Sequence, residues 1–318
     1  MEVENPWPEA DKTFRYLLYS QQAAPLQDAA ADFDAIIKVP IKSLVVTSTT
    51  HIPSLESLGG EQKLVGFPQT DYISSVKTRA LIAAGQVKEL GGTQDLNLEL
   101  LVAAAPDVVV GFGVDGDNKT LDRIQEAGIP VVYNGDWVEQ DPLGKAEWIK
   151  FFGALLDKND QATSVFNEIA TEYERVKALA QNQKQAPSVL SGAMYKDVWY
   201  LPNGKSWAAQ FLKDAKGSYR YAEADGKGSL SLSIESVLDQ AQDSEFWIGP
   251  GQFTSLDQMA EANAVYKEFD AYKSGNVYSF TSNKGPTGGV IYYELAPNRP
   301  DLVLKDLIRI LHLSLIHI

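Results

Sequence analysis

The sequence predicts an α/β protein built from two Rossmann-like α/β lobes that are joined by a single long α-helix, with a ligand cleft between them. Three observations predict this. From residue 43 to 135 short β-rich runs alternate with helical segments, a strandless stretch with helical periodicity follows, and after residue 187 the βα alternation resumes. With 318 residues, 44% of them apolar, the chain is long enough for two modest cores.

In the first lobe the runs at 43–48, 63–67, 107–112 and 130–134 read as strands. The segments 74–84, 98–104 and 119–127 carry apolar spacing suited to helices. Such alternation implies a mostly parallel sheet covered on both faces. The stretch 141–183 has no strand signal. After Asn159 or Asp160 as N-cap it sets Val165, Phe166, Ile169, Tyr173, Val176 and Ala180 at helical spacing. About 24 residues of helix span roughly 36 Å, enough to bridge two lobes. Beyond Gln185-Ala-Pro187, strands are expected at 189–194, 198–201, 246–248 and 277–280, and helices at 207–215, 234–241, 256–269 and 300–311. The expected organisation is therefore an N-terminal lobe over 1–140, a helical connection over 141–186, a C-terminal lobe over 187–312 and a non-native tail over 313–318. Ligands of open α/β sheets bind outside the carboxyl ends of the strands, which is where the site is sought.

Composition removes several function classes. A formal net charge of -14 with no Lys/Arg run argues against nucleic acid as a partner. The absence of cysteine excludes disulfides, thiolate metal sites and a Cys nucleophile. The longest apolar runs are far shorter than the roughly 20 residues that cross a bilayer. The opening Met1-Glu-Val-Glu-Asn-Pro6 lacks the basic start and apolar stretch of a secretory leader, so the chain reads as cytoplasmic or as one that has lost its leader.

Chemistry-bearing constellations are few. Of three histidines, His312 and His317 lie at the C-terminal end, which leaves His51, too few for a site that holds a bare metal ion. His51 itself reads either as a loop histidine without special role or as a ligand contact. No G-x-S-x-G elbow is present, and no catalytic residue is expected. Gly111-Phe-Gly113-Val-Asp-Gly116 fits the bare dinucleotide-loop pattern, but Asp115 and Asp117 would set carboxylates beside the pyrophosphate, and a turn at a cleft edge is the plainer reading. Aromatic residues cluster near strand ends, and their stacking area and polar tips suit a large, flat or chelate-like ligand. Candidate contacts are Tyr195, Trp199, Trp207 and Tyr292, with Phe67 and Trp247 equally readable as core. Lys196 and Arg220 are candidates for holding an anionic ligand, with plain surface solvation as the rival for each.

The motifs, in order along nearly the whole chain, are Asn5-Pro-Trp7 ahead of Phe14-Arg-Tyr-Leu-Leu18, Ser48-Thr-Thr-His51 leading to Leu58-Gly59, and Leu96-Asn-Leu-Glu99-Leu-Leu101 followed by Pro106-Asp-Val-Val109. Glu147-Trp-Ile149, Gly228-Ser-Leu-Ser-Leu-Ser-Ile-Glu235 and Arg299-Pro-Asp-Leu-Val-Leu-Lys-Asp-Leu307 continue the series. In this order they resemble the periplasmic substrate-binding proteins of ABC transporters for iron-siderophores and cobalamin, especially forms common in Bacteroidetes-like bacteria. The resemblance implies a non-enzymatic, monomeric capture protein of the periplasm, lipid-anchored or free. It would carry no cofactor of its own, and its ligand would be an Fe(III)-siderophore, alternatively cobalamin, or haem with His51 as axial ligand; outside the class, the alternative is an enzyme using a similar two-lobed α/β cleft. It also implies an ABC permease and its ATPase as partners, met by an acidic residue at the tip of each lobe. The matching positions are Glu99 and Glu235, whose rival reading is that of ordinary first-turn glutamates favoured by the helix dipole. Members of the family carry a leader and an early strand before the Asn5-Pro-Trp7 segment. Neither is read here, so truncation is expected at the N-terminus, and the 313–318 tail resembles translated adapter sequence.

Overall fold

The computed structural model describes residues 1–20, 23, 32–93, 95–113 and 116–312; the 313–318 tail and two positions of the glycine pattern, Val114 and Asp115, lie outside the described residues. The chain divides into two compact units. Unit 1 comprises Met1–Glu139, Gly144–Asn167 and Gly285–Asn298, and unit 2 comprises Gln140–Leu143, Glu168–Lys284 and the chain from Arg299 on.

Unit 1 opens with a small sheet that the sequence reading did not assign: β1 (Glu2–Glu4), β2 (Thr13–Ser20) and β3 (Ala35–Val39), in the order β1-β2-β3. A strand therefore does precede Asn5-Pro-Trp7. In β2, Phe14 and Tyr16 alternate inward while Thr13 and Arg15 face out, the period of a half-buried strand. The main sheet follows by βα alternation: β4 (Leu44–Val46), α1 (His51–Ser57), β5 (Leu64–Phe67), α2 (Val76–Ala83), β6 (Lys88–Glu89), α3 (Leu98–Ala104), β7 (Val108–Gly111), α4 (Lys119–Glu126) and β8 (Val131–Tyr133). Its five strands are all parallel, in the order β6-β5-β4-β7-β8. Leu44–Val46 and Val108–Gly111 are buried at every position, which is why they appear as unbroken apolar runs rather than alternating ones.

Helices α5 (Pro142–Glu147) and α6 (Ile149–Leu156) lead into α7 (Asn159–Gln181), whose 23 residues span about 35 Å. Val165 and Phe166 pack against the core of unit 1, whereas Tyr173, Val176 and Ala180 belong to that of unit 2.

Unit 2 comprises β9 (Ser188–Ser191), β10 (Ala193–Tyr195), β11 (Val198–Pro202), α8 (Trp207–Asp214), β12 (Ser218–Tyr219), β13 (Ser229–Leu232), α9 (Ile234–Ala241), β14 (Phe246–Ile248), α10 (Leu256–Ala262), α11 (Asp270–Ser274) and β15 (Val277–Tyr278). The chain then contributes α12 (Ile291–Leu295) to unit 1 and returns for α13 (Pro300–Leu311), which buries Leu304, Leu307, Ile308 and Leu311 on one face. The parallel sheet has the order β12-β9-β14-β15, and β10-β11-β13 form an antiparallel one. The single strand expected at 189–194 is thus two strands of different sheets. Gly192 separates them with φ +81°, and a Cβ there would lie 2.0 Å from the carbonyl oxygen of Tyr200, so only glycine permits the turn. The helix expected over 256–269 also divides, because Asn263 is extended (φ -158°, ψ 117°) and its side chain accepts a hydrogen bond from the Val265 amide, opening a short 3-10 turn.

Candidate functional site

Each parallel sheet reverses its strand order once, and ligands of open α/β sheets bind beyond the carboxyl ends at that reversal. In unit 1 the reversal falls between β4 and β7 and in unit 2 between β9 and β14.

At the unit 1 reversal, β4 runs into residues 47–50. The Thr50 hydroxyl donates to Asp136 Oδ2 at 2.7 Å, and Ser48 Oγ and Thr50 Oγ1 lie 2.9 Å apart. The Asp136 amide donates to Asn134 Oδ1 at 2.8 Å, and Lys145 Nζ donates to the carbonyls of Asp136 (2.7 Å) and Trp137 (3.2 Å). Burial holds the Lys145 ammonium below its usual range, against the pull of Asp136 and Glu139. Beyond β7, Gly113 offers its carbonyl to the indole N–H of half-exposed Trp137 at 2.9 Å. The loops after β4, β7 and β8 are therefore stitched to one another by polar side chains.

The adjacent β5 edge is pinned by Glu89, which accepts from the amides of Gln69, Thr70 and Gly91 and from the Thr70 hydroxyl. Burial pushes its carboxyl up, but these four donors outweigh it and hold it below the usual range.

At the unit 2 reversal, Ser191 Oγ donates to the Ile248 carbonyl at 2.6 Å and the Gly192 amide to the Gly249 carbonyl at 3.2 Å. Beneath these carbonyl ends lies an aromatic floor. The Trp199 and Trp247 rings stack 5.2 Å apart, with Tyr266 and Phe269 against both. Their indole N–H groups donate to the Ser191 carbonyl (3.1 Å) and the Gly192 carbonyl (2.8 Å).

Several sequence-derived candidates take different roles from those expected. Trp199 and Trp247 are 0% exposed and both hold the carboxyl end of β9 from inside, so neither side chain lines a pocket. Phe67 is likewise a core residue. His51 is 0% exposed, with its ring 5.4 Å from that of Phe152 and neither nitrogen hydrogen-bonded. It cannot serve as an axial ligand from there, and burial lowers its pKa despite the nearby Asp136. Arg220 is engaged by Asp243 at 2.6 Å. Tyr195 is 67% exposed at the β10–β11 hairpin, with Lys196 Nζ 5.5 Å from its ring centroid, so these two do stand together in the open. Trp207 is half-buried at the start of α8, packed on Phe211, and Tyr292 belongs to unit 1, beside Tyr293.

Glu99 and Glu235 share one local construction in separate units. Each is an exposed first-turn residue of a helix capped by the residue two before it, Asn97 accepting from the Leu100 amide (3.0 Å) and Ser233 from the Ser236 amide (3.3 Å). The Glu235 carboxyl is held below its usual range by its own backbone N–H and the Ser233 hydroxyl. The residues that sequence reasoning passed over are Asn134, Asp136, Lys145 and Ser191. Only Ser48-Thr-Thr50, directly after a strand, hinted at the polar knot they make. Among the described residues, no group of three or more His, Asp or Glu is placed to hold a metal ion, and no helix is long and apolar enough to cross a membrane.

Parallel sheets with helices, repeated in two units that each carry a strand-order reversal, define the two-lobed solute-binding class of fold. A family model described as "Periplasmic binding protein" matches residues 44–283, and the chain belongs to that family, one of solute-binding proteins rather than enzymes. The chain is 26% identical over 289 residues to an uncharacterized lipoprotein of Methanocaldococcus jannaschii, covering 87% of this chain and 66% of that relative, less than two thirds of its length. It is 22% identical over 203 residues to the vitamin B12-binding protein of Vibrio parahaemolyticus, covering 63% of this chain and 69% of the relative. A solved structure described as a possible iron-binding (periplasmic solute-binding) protein from Staphylococcus epidermidis has the same fold, with a TM-score of 0.65 at 18% identity, covering 86% of this chain and 99% of that one.

Proposed function

We propose that the protein is the extracytoplasmic capture component of an ABC importer, lipid-anchored or free, that binds a ferric siderophore and delivers it to a permease and its ATPase. The observation that carries this reading is duplication: each unit has a parallel sheet with its own strand-order reversal and its own exposed first-turn glutamate, Glu99 or Glu235. In this reading the candidate ligand contacts lie in the loops beyond each unit's own strand-order reversal, with Tyr195 and Lys196 as the exposed aromatic and cationic candidates of unit 2, and Trp207, Arg220 and Tyr292 as further candidates. Glu99 and Glu235 meet cations on the permease, and no covalent step is needed. Cobalamin is the second reading, favoured by the similarity to a vitamin B12-binding protein.

Tryptophan-fluorescence titration with ferric hydroxamate and catecholate siderophores, cyanocobalamin and haem tests it. A ferric siderophore is expected to bind with Kd below about 10 µM, roughly 7 kcal/mol. Binding of cyanocobalamin alone would favour the second reading, and binding of none would overturn the capture role.

A further inference from the structure

The segment Gly285–Asn298 groups with unit 1, although the residues on either side of it, Lys284 and Arg299, belong to unit 2. It is fastened to unit 1 at points far away in sequence. Thr287 Oγ1 donates to the Asp71 carbonyl at 2.8 Å, the Ser74 amide donates to Glu294 Oε2 at 2.7 Å, and Asn298 binds twice. Its Oδ1 accepts from Ser54 Oγ at 2.6 Å and its Nδ2 donates to the Thr50 carbonyl at 2.7 Å. Close approach between the fastenings is absolute: a Cβ on Gly289 would lie 2.1 Å from the Tyr72 carbonyl oxygen, and one on Gly285 2.6 Å from Ser74 Cα.

The fastenings are not scattered. Thr50 is the residue before α1, and its own side chain does not cap that helix because it is spent on Asp136. Ser74 stands immediately before Ser75, the cap of α2. Asn298 and Glu294 therefore grip the entrances of the two helices that follow β4 and β5, where the chain turns at the carboxyl edge of the sheet. Glu294 is 3% exposed, and Glu56, the titratable group that acts on it, is itself occupied by the Ser75 and Thr78 hydroxyls at 2.5 Å each.

We infer that Glu294 and Asn298 are positioning residues: the 285–298 strap sets residues 48–50 and 69–74 in the geometry that ligand capture requires. That these loops face a ligand rests on the function proposed above, whereas the positioning does not.

Amide hydrogen exchange on the full chain tests it. Glu294→Ala and Asn298→Asp, the second keeping an acceptor for Ser54 but setting an oxygen against the Thr50 carbonyl, are expected to speed exchange about tenfold in 48–54 and 69–78, the scale of one lost buried hydrogen bond. Exchange in Val108–Gly111, an inner strand of the same sheet, should not change. Glu294→Gln, which retains the acceptor for Ser74, should restore protection. Unchanged exchange in 48–54 and 69–78, or acceleration spread evenly through unit 1, overturns the inference. With cyanocobalamin and a ferric hydroxamate as probes, the Ala and Asp variants should bind about tenfold more weakly than the unaltered chain. Unaltered affinity despite lost protection would also overturn it. If the unaltered chain binds neither probe, the capture reading suffers and the exchange result still decides the strap.

Discussion

At the scale of single residues, the clearest consequence attaches to His51. Its ring is enclosed without a hydrogen-bond partner, so the folded state resists its protonation while the unfolded chain accepts a proton near pH 6.5. The unfolded state then binds more protons as pH falls below that value, and stability should drop by up to about 1.4 kcal/mol per pH unit until the folded-state pKa is passed. Urea unfolding at pH 7.5 and 5.5 measures this, and His51→Phe should flatten the difference. Trp199 makes a second case. Truncation to Ala removes a wholly buried indole stacked on Trp247, and should cost about 3–5 kcal/mol in the same assay. A pocket-lining tryptophan would cost far less. Sequence could not separate the two roles of Trp199 and Trp247, since aromatic residues at strand ends suit a ligand and a core equally. What decides is the path of the chain at Gly192, which turns from β9 into the β10–β11 hairpin and so brings Trp199 onto Trp247.

At the scale of elements, the inner strands of the two parallel sheets were legible because burial on both faces demands continuous apolar runs; Leu44–Val46, Val108–Gly111 and Phe246–Ile248 each lie within two residues of the expected bounds, whereas the two-residue edge strands Lys88–Glu89 and Ser218–Tyr219 carry no such run and were not expected. The β1-β2-β3 sheet was less so, although Phe14 and Tyr16 alternate inward in β2, because its partner β3 stands apart from any βα repeat. The polar knot of Thr50, Asn134, Asp136 and Lys145 left no trace beyond Ser48-Thr-Thr50 for another reason: its members lie up to 95 positions apart and ordinary loop composition conceals them. Helices α3 and α9 allow a direct test of docking. Charge reversal, Glu99→Lys with Glu235→Lys, should leave ligand titration unaltered and abolish uptake in vesicles holding the cognate permease. These exposed first-turn changes should leave the fold intact, so loss of ligand binding would sink the docking assignment.

At the scale of the whole molecule, the division into units was legible only in part. The βα alternation on either side of a long helix is visible in sequence, and the helix does supply Val165 and Phe166 to one core and Tyr173 and Val176 to the other. Nothing in the composition of Gly285–Asn298 marks it as a piece of unit 1, because its attachment rests on hydrogen bonds and close backbone approaches to residues more than 200 positions earlier. Its excision and replacement by a flexible linker of equal length should lower the unfolding midpoint of unit 1 more than that of unit 2, which differential scanning calorimetry can resolve. The same attachment bears on the order in which the protein is made. Thr50 and Asn298 are 248 residues apart, so at 5–20 residues per second the ribosome needs roughly 12–50 s between them. Unit 1 is thus completed only after every described strand of unit 2 has been synthesised. Until then its β4 and β5 turns wait unfastened, and any factor that shields nascent chains has that interval in which to act.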